Sequence, residues 1–264
     1  MTEQEQMLTS ILDCRRIDLY VHKTILNEEH VSQLQQMVTR RNNGEPLQYI
    51  LGNCDFMGLT FLVDERVLIP RPETENVVEA AIKKAMEISG KELDILDVGC
   101  GSGNIAVTLA KNLPWSQVTA IDISPGALDL AKINAAINGV KEQIHFIESD
   151  LFSELQHLLK KEPFDVIVSN PPYIATVDMG SLPSDVQREP RIALNGGADG
   201  LDFYRRIIFD SIFYLKRGGH LILEIGEKQR GGIEKIFERY PRYTNISCQK
   251  DLAGRDRIMI AELK

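Results

Sequence analysis

The residues with the most chemical content stand together at Asn170-Pro171-Pro172-Tyr173, directly after the apolar run Val166-Ile167-Val168 and Ser169. A carboxamide, a backbone direction fixed by prolines and an aromatic ring suit a flat group bearing NH2. The nitrogen of such a group is a poor nucleophile when its lone pair is delocalised into a carbonyl. Acceptors for its N–H bonds help it. The Asn170 side-chain oxygen is one acceptor and the Pro171 carbonyl a second. Tyr173 offers a face for stacking. No His or Cys lies in this segment to act as a base. An alkylation needs none, because the nitrogen's proton becomes acidic once the new bond forms. Alignment and removal of water would supply the acceleration.

A second constellation, Asp97-Val98-Gly99-Cys100-Gly101-Ser102-Gly103, follows Ile95-Leu96 and opens a helical stretch. Glycines permit a tight turn and close approach of a ligand to the backbone. The free amides of a helix start favour a negative group. Alone, such a loop is equally a plain strand-to-helix turn. Its spacing departs from the dinucleotide fingerprint, since Asn104 stands where the last glycine of G-x-G-x-x-G belongs. Asp122 ends the next strand, about twenty residues on, where a carboxylate can hold ribose hydroxyls. It could instead cap the helix at Pro125, a task also open to Ser124. Loop and acid together describe a nucleoside-bearing cofactor without a pyrophosphate, the pattern of S-adenosylmethionine enzymes. On that reading Gly99, Cys100, Gly101, Ser102, Gly103 and Asp122 bind the cofactor. Ser149-Asp150-Leu151 either flanks its adenine or forms a simple turn.

These residues need a scaffold, and the chain supplies alternating strand and helix patterns. Strands are expected at 95–98, 117–121, 144–147, 164–169 and 220–225, with Gly218-Gly219 turning the chain into the last of these. Helices are expected at 104–112, 125–138 and 201–215. Repeated β-α units imply an α/β fold, a parallel sheet covered on both faces. Two closing strands, 245–249 and 257–262, read as an antiparallel hairpin at one edge. Upstream, residues 1 to about 45 read as helices with a sparse core, one of them running from Glu28 behind an Asn27 cap. Runs flanking Gly58 suggest a β-hairpin. Val67 to Glu73 is held extended by Pro70 and Pro72, and a helix follows with Val77, Val78, Ala81, Ile82, Ala85 and Met86 inward. Arg71 and Glu73 either lid the cofactor site or form an ion pair at a helix start. The stretch Asn170 to Gly200 shows little periodicity, and a loop of that length is expected to belong to the active site.

Composition narrows the partners. The 264 residues carry a net charge of -8, which disfavours direct nucleic-acid binding. With 43% hydrophobic and 26% charged residues, the chain is ordinary globular protein. Cys14, Cys54, Cys100 and Cys248 form no C-x-x-C pair, so neither a metal site nor a disulfide framework is expected. No apolar run reaches the ~20 residues of a membrane span, and the N-terminal residues lack a signal peptide's apolar core. A cytoplasmic protein is the expectation.

The chain resembles the HemK-type protein-(glutamine-N5) methyltransferases, which modify release factors. The likeness rests on Glu45-Pro46-Leu47-Gln48-Tyr49-Ile50-Leu51-Gly52, the hairpin at Gly58, Leu68-Ile69-Pro70-Arg71-Pro72-Glu73-Thr74-Glu75, the glycine loop, Asn170 to Tyr173, and Glu189-Pro190-Arg191-Ile192-Ala193-Leu194. It implies a seven-stranded Rossmann-like methyltransferase domain over residues 73–264. It also implies a helical substrate-recognition domain over 1–52 and a β-hairpin linker over 53–72. The implied cofactor is S-adenosylmethionine, and the implied substrate is the glutamine of the Gly-Gly-Gln motif in class 1 release factors. The implied roles place Asn170 against both cofactor and glutamine. Pro171, Pro172 and Tyr173 frame the glutamine, and Leu151 lies beside the adenine, where relatives often have an aromatic residue. An amino-methyltransferase acting on a flipped nucleic-acid base would share the Asn-Pro-Pro-Tyr segment. A binding module that kept the fold without the activity would have no need of Asn170 or Asp122.

Overall fold

The computed structural model describes residues 1–21, 25–88, 92–155 and 164–264. Residues 22–24, part of the stretch expected to be helical, lie outside these. The chain opens with helices α1 (Glu3–Leu12), α2 (Asp18–Val21), α3 (Glu28–Asn42) and α4 (Leu47–Leu51). Asn27 caps α3 as expected, its side chain accepting from the His30 amide at 2.8 Å. No α3 residue is fully buried. The helix leans on its neighbours through charges: Arg41 pairs with Glu3 of α1 at 2.8 Å, and Arg188 donates to the Asn43 carbonyl at 2.7 Å.

Strands β1 (Asn53–Phe56) and β2 (Leu59–Leu62) form the expected hairpin. Its turn residues Met57 and Gly58 both have positive φ, 49° and 74°, the twist that a two-residue hairpin turn requires. The hairpin is no loose tether. Phe56 and Phe61 are buried in the main core against Val77, Val78 and Ala81, each contributing about 2 kcal/mol. Asn134, wholly buried, fastens the other end. It accepts from the Leu62 amide at 2.8 Å and donates to the carbonyls of Leu62 at 3.0 Å and Ser102 at 2.9 Å. One carboxamide thus ties the hairpin to the glycine loop.

Helix α5 (Pro72–Glu87) begins at its first proline, so the rigid segment is shorter than expected. Val77, Val78, Ala81 and Ala85 face inward, whereas Met86 is 61% exposed. Position 86 follows Ala85 by one residue, about 100° around the helix. The catalytic sheet follows, with β3 (Leu93–Val98), β4 (Ser116–Asp122), β5 (Ile144–Glu148), β6 (Phe164–Ser169), β7 (Leu215–Glu224), β8 (Tyr243–Lys250) and β9 (Asp256–Leu263). Helix α6 (Asn104–Asn112) joins β3 to β4, and α7 (Pro125–Ile137) follows β4. The order is β5-β4-β3-β6-β7-β9-β8, parallel except for β9, which runs antiparallel to both β7 and β8. All six residues of β6 are buried, as a strand covered on both faces must be.

Two expectations change here. The helix expected to reach Leu215 spans Asp202–Ser211, and Leu215 instead begins β7. Gly218 and Gly219 lie inside that strand, where pairing with β6 slips between Phe164 and Val166. A bulge and a turn demand the same glycine, with φ 78° at Gly218; only the partner strand tells them apart.

Asn134→Ala should lower the unfolding free energy by about 3 kcal/mol, because it orphans buried backbone groups on two elements. Denaturant titration of the purified protein measures this, and an effect under about 0.5 kcal/mol would contradict the tie.

Candidate active site

Pairing register brings the two chemical segments together. Val98 lies level with Ser169 on β6 and with Ile121 on β4. Gly99 therefore leaves the sheet beside Asn170 on one side and Asp122 on the other, each about 5 Å away across a strand gap. The Ser169 hydroxyl donates to the Val98 carbonyl at 2.6 Å and locks that level. From β3 the chain winds outward through β4 and β5, and from β6 it winds the other way through β7. The crevice where that direction reverses is where open α/β sheets bind ligands.

A cavity of about 260 Å³ occupies this crevice. Gly99, Cys100, Gly101, Ser102, Asp122, Leu151, Asn170, Pro171 and Pro172 line it. Gly99 and Gly101 have φ of 75° and 53°, and a Cβ on either would meet no protein atom within 4 Å. That open space is what a ligand against the backbone would fill. Gly103 does not line the cavity. A Cβ there would lie 3.1 Å from the Ala131 Cβ, so this glycine lets α6 close on α7. Asp122 accepts from the Gly101 amide at 2.8 Å and the Ser124 amide at 2.9 Å. Burial raises its acid above the usual carboxylate range. The helix cap belongs to Ser124, whose hydroxyl accepts from the Ala127 amide at 3.2 Å.

A second cavity of about 220 Å³ adjoins the first. Leu68, Arg71, Asn170, Pro171 and Ala193 line both, while Tyr173 and Ile174 line the second alone. Among the described residues no donor reaches the Asn170 Oδ1 or the Pro171 carbonyl, while the Asn170 Nδ2 donates to the Thr74 hydroxyl at 3.1 Å. Pro171 is buried and Asn170 half-buried. Both acceptors thus remain available where the two cavities meet. Burial pushes the Tyr173 phenol up to about 12, so it stays neutral.

The Asn170–Gly200 stretch does wall the site, and buried groups hold it there. Glu189, 5% exposed, accepts from the Ile69 amide at 3.0 Å and pairs with Arg71. Arg71 pairs with Glu189 across the site, not with Glu73 beside it. Gln229 donates to the carbonyls of Tyr173 at 2.9 Å and Gly200 at 3.1 Å, clamping both ends of the loop. Gly196 packs against that backbone, where a Cβ would lie 2.7 Å from the Pro172 carbonyl. On the Leu151 side, Phe203, Arg206 and Ile207 also line the first cavity, and Arg206 pairs with Asp150 at 2.9 Å.

Sequence reading passed over Asp97. It is fully buried, and its Oδ2 accepts from the Ala106 amide at 3.0 Å. Its Oδ1 has no partner among the described residues, and burial pushes its acid up to about 8. Asp97 does not line the cavity, and its carboxyl acts from beneath the glycine loop on the start of α6. The signal was present, since Asp97 opens the glycine motif.

Comparison with known proteins gives the class first. Residues 89–230 match a family described as a methyltransferase domain. The catalytic domain of hMettl16, solved in complex with the MAT2A 3'UTR hairpin 6, shares the fold. It matches with a TM-score of 0.61 at 17% identity, over 90% of this chain and 82% of that one. The protein is an S-adenosylmethionine-dependent methyltransferase. Residues 2–52 match the PrmC N-terminal domain. The release factor glutamine methyltransferase of Geobacter sulfurreducens is 42% identical, over 97% of this chain and 87% of that protein. That of Rhodopirellula baltica is 40% identical, with the same coverage. The chain belongs to the release factor glutamine methyltransferase family.

Asp97 gives a pH-dependent expectation for the cofactor-free protein. Its acid is raised in the folded state, so its contribution to stability is complete below about pH 4 and is lost as pH rises toward about 8. Asp97→Asn escapes that loss. The variant's Tm relative to wild type should climb by roughly 10 °C between pH 4.5 and pH 8. Differential scanning calorimetry at both values measures it, and a flat difference would show Asp97 ionised throughout.

Proposed function

We propose that this protein methylates the side-chain amide nitrogen of the glutamine in the Gly-Gly-Gln motif of class 1 peptide chain release factors. The single observation that carries the proposal is the pair of available acceptors, Asn170 Oδ1 and the Pro171 carbonyl, at the junction of the two cavities. Names of the relatives support the choice of substrate. S-adenosylmethionine supplies a methyl group on a positively charged sulfonium, which the amide nitrogen takes as the carbon–sulfur bond breaks.

The chain's own residues do the aligning. Gly99, Cys100, Gly101, Ser102 and Asp122 would hold the nucleoside part, with Leu151 beside the adenine. Asn170 Oδ1 and the Pro171 carbonyl accept the two N–H bonds of the glutamine, and Pro172 and Tyr173 frame its plane. Accepting both N–H bonds polarises them toward the nitrogen and enriches it, and fixing both orients its lone pair at the methyl group. The proton lost from the alkylated nitrogen leaves to solvent. Residues 1–52 read the substrate protein, 53–72 link, and 73–264 catalyse. A net charge of -8 weighs against a nucleic-acid substrate. No helix among the described residues is long and apolar enough to cross a membrane, which suits a cytoplasmic substrate.

The test supplies purified release factor with methyl-labelled cofactor. Label should enter the wild-type factor and not one whose Gly-Gly-Gln glutamine is alanine; equal labelling would refute the assignment, and label in added RNA or DNA would move it to a base. Asn170→Ala should lower kcat by about a hundredfold while cofactor Kd changes by less than about threefold. Full turnover in that variant would remove Asn170 from the role given to it.

A further inference from the structure

Two buried side chains stand behind Asn170, and one of them, Thr74, also reaches the wall of the first cavity. Thr74, in the first turn of α5, and Glu224, at the end of β7, are each 1% exposed. The Asn170 Nδ2 donates to the Thr74 Oγ1 at 3.1 Å, and the Thr74 Oγ1 donates to the Glu224 Oε2 at 2.6 Å. A hydroxyl has one proton, and a carboxylate only accepts. The Thr74 proton is therefore committed to Glu224, and Thr74 presents lone pairs to Asn170. The two edges of a carboxamide have nearly the same shape, so hydrogen bonding alone decides which faces which way. Here the NH2 edge is drawn to Thr74, and the oxygen edge is left for the cavities.

We propose that Glu224 is a positioning residue that, through the Thr74 hydroxyl, holds Asn170 with its oxygen toward the substrate amide. This rests on the role assigned to Asn170 above. The polarity of the chain depends on the ionisation of Glu224. A protonated Glu224 can donate to Thr74, whose own proton is then free to turn to Asn170. Asn170 would answer with its oxygen, placing its NH2 edge in the site, where the substrate's own NH2 meets a donor. The groups facing Glu224 are Arg71 and Glu73 beside Thr74, Arg257 from β9, Tyr173 from the loop and Tyr204 from the Asp202–Ser211 helix. Burial outweighs the Thr74 hydrogen bond and the Arg257 charge and sets the acid at about 7. The productive, ionised state is present above that value and is lost as pH falls through it.

The experiment measures kcat on purified release factor from pH 6 to 9 at saturating S-adenosylmethionine, with cofactor Kd for each variant. Thr74→Val should lower kcat about thirtyfold with Kd within about twofold, and Thr74→Ser should restore kcat to within about threefold of wild type. Glu224→Gln is the neutral counterpart of protonated Glu224 and can donate to Thr74 at every pH. Its kcat should stay, from pH 6 to 9, near the level to which wild type falls at low pH, with no acid limb of its own. If Asn170→Ala keeps full turnover, the role of Asn170 fails and the relay with it. If Asn170→Ala is impaired while Thr74→Val is not, or if Glu224→Gln keeps the wild-type acid limb, the relay fails and the role of Asn170 stands.

Discussion

Val98 lies level with Ser169 where β3 and β6 pair, and the Ser169 hydroxyl bonds across to the Val98 carbonyl at 2.6 Å. Every functional placement follows from that level. Parallel strands joined through helices release their chains at the same edge of the sheet. The last residues of neighbouring strands therefore stand about 5 Å apart whatever their separation in sequence. Gly99 and Asn170, 71 positions apart, become neighbours in this way. A slip of one residue in this pair would turn alternate side chains to the opposite face. The apolar continuity of β6 guards against a larger slip, because each of its six residues is buried.

The site is polar at a depth where polarity is costly. Asp97, Asp122, Glu189 and Glu224 all come from the ends of strands or the wall of the crevice, and the acids of Asp97 and Glu224 are raised to about 8 and about 7. Isolated buried carboxylates cost several kcal/mol unless they are paired or hydrogen-bonded. Glu189 is offset by Arg71 and the Ile69 amide, and Glu224 by Thr74. Asp97 keeps one oxygen without a partner among the described residues. A transferase for a weakly nucleophilic amide has to align far more than it has to ionise, and fixed buried acceptors do that aligning without reorganising during reaction.

The wall over the site gains its rigidity from elements remote in sequence. Gln229 binds the backbone at Tyr173 and Gly200, Glu189 binds the linker segment at Ile69 and Arg71, and Asn134 binds the hairpin to the glycine loop. A stretch without periodicity would otherwise carry a large entropy cost on ordering. Clamping both of its ends with one carboxamide reduces the freedom left between them.

Local sequence determined the elements wherever the signal was itself local. The span of α6, the bounds of β6, the Asn27 cap and the turn at Gly58 follow from apolar periodicity and from residues that tolerate particular backbone angles. Asn170, Asp122 and the glycine turn were legible for the same reason, since each motif is a short run at a strand end. Gly103 was assigned to the cofactor because it shares that run, and only the packing of α6 on α7 shows what excludes a side chain there. Asp97, Thr74, Glu224, Gln229 and Asn134 act across gaps that periodicity does not encode. Thr74 and Glu224 meet from positions 150 residues apart, and nothing near either in the chain marks them as a pair. The sheet order, the last strand's insertion beside β7, and which donor reaches which buried carboxyl were set by the tertiary structure alone, because burial and hydrogen bonding depend on what surrounds a side chain and not on what precedes it.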